Sequence, residues 1–175
     1  MKRFAAPILA ILALTTLLVA GCAAIPGGGQ GATSAAARAG MVAAIRAWAS
    51  ADGEGLVVQP LRDPRVEDLR ADAGRLEASG DIAAAAQRLD EALEIVPDDP
   101  AVLQERAEVA VLQGDFKRAA GLAERAWTLG AQVGPLCQRH QATLEQLRLA
   151  DGDAAGAAAA RDGIAACRVA GPARY

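Results

Sequence analysis

Few side chains in this sequence are suited to catalysis or metal binding. Its 175 residues include one histidine, His140, and three cysteines, whereas a structural zinc site takes about four such ligands. A nucleophile–histidine–acid triad would have to form on a helix surface without a pocket. Asp98-Asp99 and Asp151-Gly152-Asp153 stand where helices should begin, and aspartates there usually cap the helix N-terminus. We therefore expect no catalytic, cofactor-binding or metal site, and no enzyme activity.

Cys22 ends a segment that is typical of an export signal. Lys2 and Arg3 precede an uncharged apolar run over Phe4–Ala20, which as a helix would be about 25 Å long at ~1.5 Å per residue. Such a helix is short for a hydrocarbon core of about 30 Å. The pattern predicts a signal peptide over residues 1–21 rather than a permanent membrane helix.

The residues Val19-Ala20-Gly21-Cys22 resemble the lipobox of bacterial lipoproteins. The resemblance implies cleavage just before Cys22, a diacylglycerol on its thiol and an acyl chain such as palmitate on its new amine. These chains would hold the protein on a lipid bilayer, and Ala23 after the cysteine implies the outer membrane. Residues 22–33 would then be the lipidated cysteine and a flexible, Gly-rich tether. The alternative is an ordinary thiol beside a different signal-peptide cut.

Composition favours helices and argues against a surface for nucleic acid. About a quarter of the residues are Ala, the strongest helix former, and only 3% are aromatic. The net charge is −3, and −5 without Lys2 and Arg3, so the basic footprint that nucleic-acid binding needs is missing. We expect neither a nucleic acid nor a small-molecule substrate as a partner.

An internal repeat organises the rest of the chain. The turn Gly80-Asp81 recurs as Gly114-Asp115, and apolar residues around both turns recur at the three-to-four spacing of a buried helical stripe. This pattern resembles the tetratricopeptide repeat, a helix-turn-helix unit of about 34 residues. The resemblance implies an all-α fold of α-α hairpin repeats, a short right-handed solenoid. The repeats would cover about 66–99, 100–133 and a degenerate 134–171, within a domain over 63–175.

Residues 34–62 precede the repeats and should contain a capping helix followed by an extended segment. Met41, Ile45 and Trp48 are spaced to lie on one side of a helix over Ser34–Ser50. Because the terminal units of a repeat stack need a cap, we expect this helix to cover an open end of the stack.

The two remaining cysteines are placed to form a disulfide. Gly152 lies midway between Cys137 and Cys167 in the sequence, so a hairpin that turns there puts them at the same height. Disulfides persist in the compartments to which exported proteins go, and closing a loop of about 30 residues should stabilise the fold by about 3–4 kcal/mol. Two separate buried thiols are the alternative.

The resemblance also implies where a partner would bind. In the tetratricopeptide family, the first helices of the repeats line a groove that binds peptides or helices of partner proteins. Carried over position by position, the groove residues that we expect to contact a partner are Glu67, Arg70, Glu77, Gln104, Glu108 and Val111, beside Gly74 and Ala101. The alternative for each of them is an ordinary solvated helix face.

Together these features predict a lipoprotein of the outer membrane, anchored on its periplasmic face through acylated Cys22. Its function would be to act as a protein–protein interaction scaffold or assembly factor for another envelope protein or peptide. Two alternatives stay open: a structural lipoprotein that associates with itself, and an accessory to secretin or pilus assembly or to cell-wall enzymes.

Overall fold

The computed structural model describes residues 34–51 and 63–168, without the side chains of 49–51, and every regular element in this part is a helix. None of these helices is long and apolar enough to cross a bilayer. The predicted signal peptide, Cys22, its tether and the extended segment before residue 63 lie outside the described residues. The helices are α1 (Ala35–Ala51), α2 (Pro64–Ala78), α3 (Ile82–Ile95), α4 (Pro100–Gln113), α5 (Phe116–Leu129), α6 (Gly134–Ala150) and α7 (Ala154–Ala166).

Six of these helices form three hairpins: α2 with α3, α4 with α5 and α6 with α7. Gly80 and Gly114 occupy equivalent bends, with φ of 86° and 81°, in the left-handed region that glycine adopts most readily. After each bend, Asp81 and Asp115 accept a hydrogen bond from the backbone N–H three residues later, at 3.0 Å in both. The all-α hairpin-repeat fold is therefore confirmed, and its third hairpin is complete.

Small residues lie where the paired helices cross. Ala85, Ala92, Ala119, Ala123 and Ala126 have no exposed surface. Because a methyl group takes up little space, the backbones of neighbouring helices can approach closely at these points. The larger apolar side chains, such as Leu89 and Val109, fill the spaces between.

A disulfide joins the two ends of the third hairpin. Cys137, in α6, is bonded to Cys167, at the end of α7, with their Cα atoms 5.7 Å apart. Both residues are buried. The backbone N–H of Gly134 also donates to the carbonyl oxygen of Cys167 at 2.7 Å. The start of α6 and the end of α7 are thus linked twice.

The helix α1 lies against α4 and α6, instead of covering an open end of the stack as expected. Its side chains Val42 and Ile45 are buried there. Their apolar neighbours lie on α4, α6 and α7, and burying this stripe away from water stabilises the contact. The expectation was wrong because the need for a cap does not specify which apolar surface the helix covers.

Candidate protein-binding face

The helices α2, α4 and α6, the first helices of the three hairpins, make up the surface that we call the first-helix face. On α2, Arg70 donates to Glu67 Oε1 (2.7 Å) and, through its Nε, to Glu105 Oε2 of α4 (2.9 Å). The hydrogen bonds from Arg70 to Glu105 are the main cause that raises the pKa of Arg70 above its ordinary value. Arg70 therefore links two neighbouring hairpins at the predicted groove.

The predicted groove residues of α4 are not open to a partner. Gln104, Glu108 and Val111 have no exposed surface, because α1 and α6 both pack against α4. The prediction that these three residues line an accessible groove is wrong for this conformation. On α2, by contrast, the Glu67 side chain is 48% exposed and that of Glu77 is 22% exposed.

We define the α1 seat as the part of the first-helix face that α1 covers, with Glu108, Val111, Ala142 and Leu147. Val42 belongs to one apolar cluster with Val111 and Leu147. Ile45 belongs to a second cluster with Ala142 and Ile164, against which Trp48 packs. The seat is thus built to take branched apolar side chains from one stripe of a helix.

Glu108 is the charged centre of the seat. Its Oε2 accepts from Arg46 Nε of α1 at 2.7 Å, and its Oε1 accepts from Arg139 Nη2 of α6 at 2.5 Å. Arg46 also donates to both carboxylate oxygens of Glu77, at 2.7 and 2.9 Å. These hydrogen bonds to Glu77 are the first cause that raises the pKa of Arg46 above its ordinary value. One arginine of α1 therefore holds carboxylates of two different hairpins.

Gln104 joins α4 to α6 by hydrogen bonds inside the face. Its Nε2 donates to Glu108 Oε1 and to Thr143 Oγ1, both at 2.8 Å, and its Oε1 lies 2.7 Å from His140 Nδ1. Because a carbonyl oxygen only accepts, Nδ1 of the neutral His140 ring carries the proton. Burial, assisted by the neighbouring charge of Arg139, lowers the pKa of His140 to about 4. His140 is a core residue that helps to fix how α4 and α6 pack.

This buried histidine predicts a loss of stability as the pH falls. Between the ordinary histidine value of about 6.5 and the folded value of about 4, the unfolded chain takes up a proton that the folded chain does not. The free energy of unfolding should therefore be at its full value above pH ~6.5 and should fall by at most about 1.4 kcal/mol per pH unit toward pH 4. Urea titrations over this range would measure the slope.

The control for this measurement is the His140→Gln variant. Most carboxylates titrate below about pH 5, and His140 is the one histidine of the sequence. The slope between about pH 5 and 6.5 should therefore flatten in the variant. An unchanged slope would mean that another group is responsible.

A cavity of about 510 Å³ remains open beside α1, between α2 and α4. Its floor consists of the buried side chains of Ala73, Leu89 and Val109. Its walls carry arginine and glutamate side chains, each of which already pairs with a side chain of opposite charge. The complete lining is Arg46, Arg70, Ala73, Gly74, Glu77, Ala78, Leu89, Glu105, Val109 and Arg139.

The geometry adds residues that the repeat pattern did not indicate. Glu105 and Arg139 belong to the face and Arg46 of α1 pairs with it, although none of the three was predicted to do so. Their signal in the sequence is weak, because one surface arginine or glutamate of a helix looks like any other. Among the described residues, no group of histidine, cysteine, aspartate and glutamate side chains could hold a metal ion.

Comparisons with known proteins agree with the repeat pattern. A family model described as "Tetratricopeptide repeat" matches residues 76–136. Among solved structures, the globular C-terminal domain of P. aeruginosa LpoP is similar, with a TM-score of 0.56 and 33% sequence identity. The match covers 60% of this chain and 99% of that domain. Among curated proteins, none matches this chain.

Proposed function

Because this chain belongs to the tetratricopeptide-repeat proteins, we propose that it binds a protein partner through its first-helix face and does so on the cell envelope. One observation carries the proposal: the face already holds a helix, since α1 lies on α4 and α6 with Val42 and Ile45 buried. A surface that takes an amphipathic helix from its own chain has the shape and chemistry to take one from another protein. The protein would act by binding and not by catalysis.

The open cavity beside α1 is where we expect the partner to make first contact. Gly74 and Ala78 are the exposed uncharged residues of its lining. We expect an apolar side chain of the partner, such as leucine or phenylalanine, to make contact there, because the burial of such an anchor is a common source of affinity. The charges of Arg70 and Glu77 at its edge are already paired within the domain. The part of the partner that enters this cavity, as distinct from the part that lies beside it, should therefore be uncharged or of mixed charge.

We propose that acylated Cys22 anchors the domain to the outer membrane on the periplasmic side. The support is the lipobox-like sequence at residues 19–22. The matched structure is described as a C-terminal domain, and here too the hairpins follow an N-terminal stretch. Replacing Cys22 with Ser should move the protein from the membrane fraction to the soluble fraction. Retention of the variant in the membranes would contradict the anchor.

The chain offers a matched pair of glycines for testing the binding face. Gly74 lies on α2 and lines the cavity, whereas Gly121 is exposed on α5, the second helix of its hairpin. A Cβ atom added at either glycine would meet no atom within 4 Å. Leucine at both positions should be tolerated, because replacing glycine inside a helix favours the helix. Only Gly74→Leu places a side chain in the cavity.

The experiment is photo-crosslinking of the full, membrane-bound protein in cells, with the crosslinker placed at the exposed residue Glu67. We expect a discrete crosslinked species in the parent and in Gly121→Leu, and at least a tenfold loss of it in Gly74→Leu. Equal crosslinking in both variants would rule out this cavity as the contact. The same membrane fraction in all three proteins would separate binding from anchoring.

A further inference from the structure

We propose that α1 is a displaceable internal ligand, and that its seat binds a helix of the partner that carries the same pattern of side chains. This inference rests on the proposed function, since it names the chemistry of the partner at the same face. The pattern is a basic amphipathic helix with two branched apolar residues three positions apart and an arginine directly after the second. In this chain these are Val42, Ile45 and Arg46.

The apolar part of the seat selects branched side chains. Ile45 is fully buried and Val42 is 3% exposed, and their neighbours on α4 and α6 are Val111, Ala142 and Leu147. Without a helix in place, this apolar surface would face water. An empty seat is therefore unfavourable. Release of α1 is favoured only when another helix covers the same apolar surface.

The charges of the seat select a basic helix. Glu108 has no exposed surface and shares its charge between Arg139 of the stack and Arg46 of α1, which also binds Glu77. All charged residues of α1 are arginines. The other one, Arg38, donates from its Nε to the carbonyl oxygen of Leu112 at 2.8 Å, at the C-terminal end of α4, where a cation is favourable. An acidic helix would be repelled by the buried carboxylate.

The stripe also includes Met41 and Trp48, which are partly buried against the same two clusters, and the rest of α1 contributes little that would prevent its release. The exposed residues of this helix are small and are mostly alanine: Ala35, Ala36, Ala37, Ala39, Gly40, Ala43, Ala44 and Ala47. The Cys137–Cys167 bond joins α6 to α7 without involving α1. The helix is thus held through one stripe, which a second helix with the same stripe can replace.

Covalent attachment gives α1 an advantage over any free helix. A tethered ligand competes at an effective concentration in the millimolar range, so a partner helix must bind more tightly than α1 or meet a weakened α1. The partner's apparent affinity equals its affinity for the empty seat multiplied by the fraction of time that α1 leaves the seat empty. Binding is therefore coupled to the release of α1, the helix that connects the stack to the N-terminal stretch.

Hydrogen exchange on the native full-length chain tests displacement directly. The probe is a synthetic helix with the α1 residues from 35 to 48, whose exposed alanines are replaced by glutamine so that its mass differs from that of α1. In a large excess of this peptide, the amides of α1 should exchange at least tenfold faster, while those of α4 and α6 stay protected. A peptide with serine in place of its Arg46 equivalent should have little effect. Unchanged protection of α1 in a large excess of the peptide would overturn the proposal.

Two variants of the chain provide the matched comparison. Ile45→Asn weakens α1 in its seat, whereas Ala43→Asn changes an exposed position of the same helix. A fluorescent copy of the peptide should bind Ile45→Asn at least tenfold more tightly than it binds the parent, and Ala43→Asn should behave as the parent does. Equal binding to both variants would contradict displacement.

If Ile45→Asn fails to fold, as circular dichroism would reveal, the exchange experiment on the native chain decides alone. The outcome is also separable from that of the proposed function. Loss of crosslinking in Gly74→Leu without peptide displacement would retain the binding face but refute the exchange of α1. Displacement without any effect of Gly74→Leu would retain the exchange but remove the cavity as the contact.

Discussion

Removing the disulfide by replacing both Cys137 and Cys167 with alanine should lower the free energy of unfolding by about 3–4 kcal/mol. The bond joins residues 30 apart in the sequence, so without it the unfolded chain gains the conformational freedom that the closed loop denied to it. The loss of stability affects the contact between α6 and α7 most. This interface includes small side chains such as Ala157 and Ala160 and therefore contains little apolar area. Urea unfolding of the oxidised parent and of the double variant would measure the difference.

Reductant provides the control for this prediction. The parent should lose about as much stability in reductant as the double alanine variant loses without it, and the variant should not respond to reductant at all. Replacing Cys22 alone should leave the unfolding of the hairpin domain unchanged. A parent that is equally stable with and without reductant would mean that the bond contributes little.

The hairpins could be predicted because the residues that define them are close in sequence. A glycine that supplies a left-handed bend and an aspartate that caps the next helix are adjacent, as in Gly114-Asp115. Both act on backbone groups within a few residues. The recurrence of this pair at the repeat spacing then implies that the second hairpin stacks on the first, because each unit needs a neighbour to cover its apolar side.

The position of α1 could not be predicted in the same way. Its apolar stripe, with Met41, Ile45 and Trp48, was evident, and the helix formed where expected. An apolar stripe, however, identifies only what must be buried and not the surface that buries it. Ile45 could have packed against an end of the stack as readily as against Ala142, which is far away in the sequence.

The charged centre of the face was unpredictable for a related reason. Glu108 was expected to line the groove, and it is buried instead. Its burial depends on Arg46 and Arg139, which come from two other helices. Nothing in the local sequence of α4 distinguishes a glutamate that will meet two guanidinium groups from one that remains in water.

Replacing Glu108 with glutamine should therefore cost more stability than any exposed charge of this domain, about 3 kcal/mol or more. The amide keeps the shape of the side chain and can still accept a hydrogen bond, but the negative charge that both arginines share is removed. Arg139 has a side chain that is only 20% exposed, so its charge would be left poorly solvated beside a buried amide. Arg46, which is 42% exposed and keeps Glu77 as a partner, should be affected less.

The matched control is Glu91→Gln on α3. Glu91 pairs with Arg88 one helical turn away, and the side chains of Arg88 and Glu91 are 43% and 45% exposed. Exposed pairs of this kind contribute about 0–1 kcal/mol, so urea unfolding should separate the two variants clearly. Hydrogen exchange should also find that α1 loses protection in Glu108→Gln and keeps it in Glu91→Gln. Equal stabilities of the two variants would mean that water reaches Glu108, and the charge selection that we assign to the α1 seat would then have no physical basis.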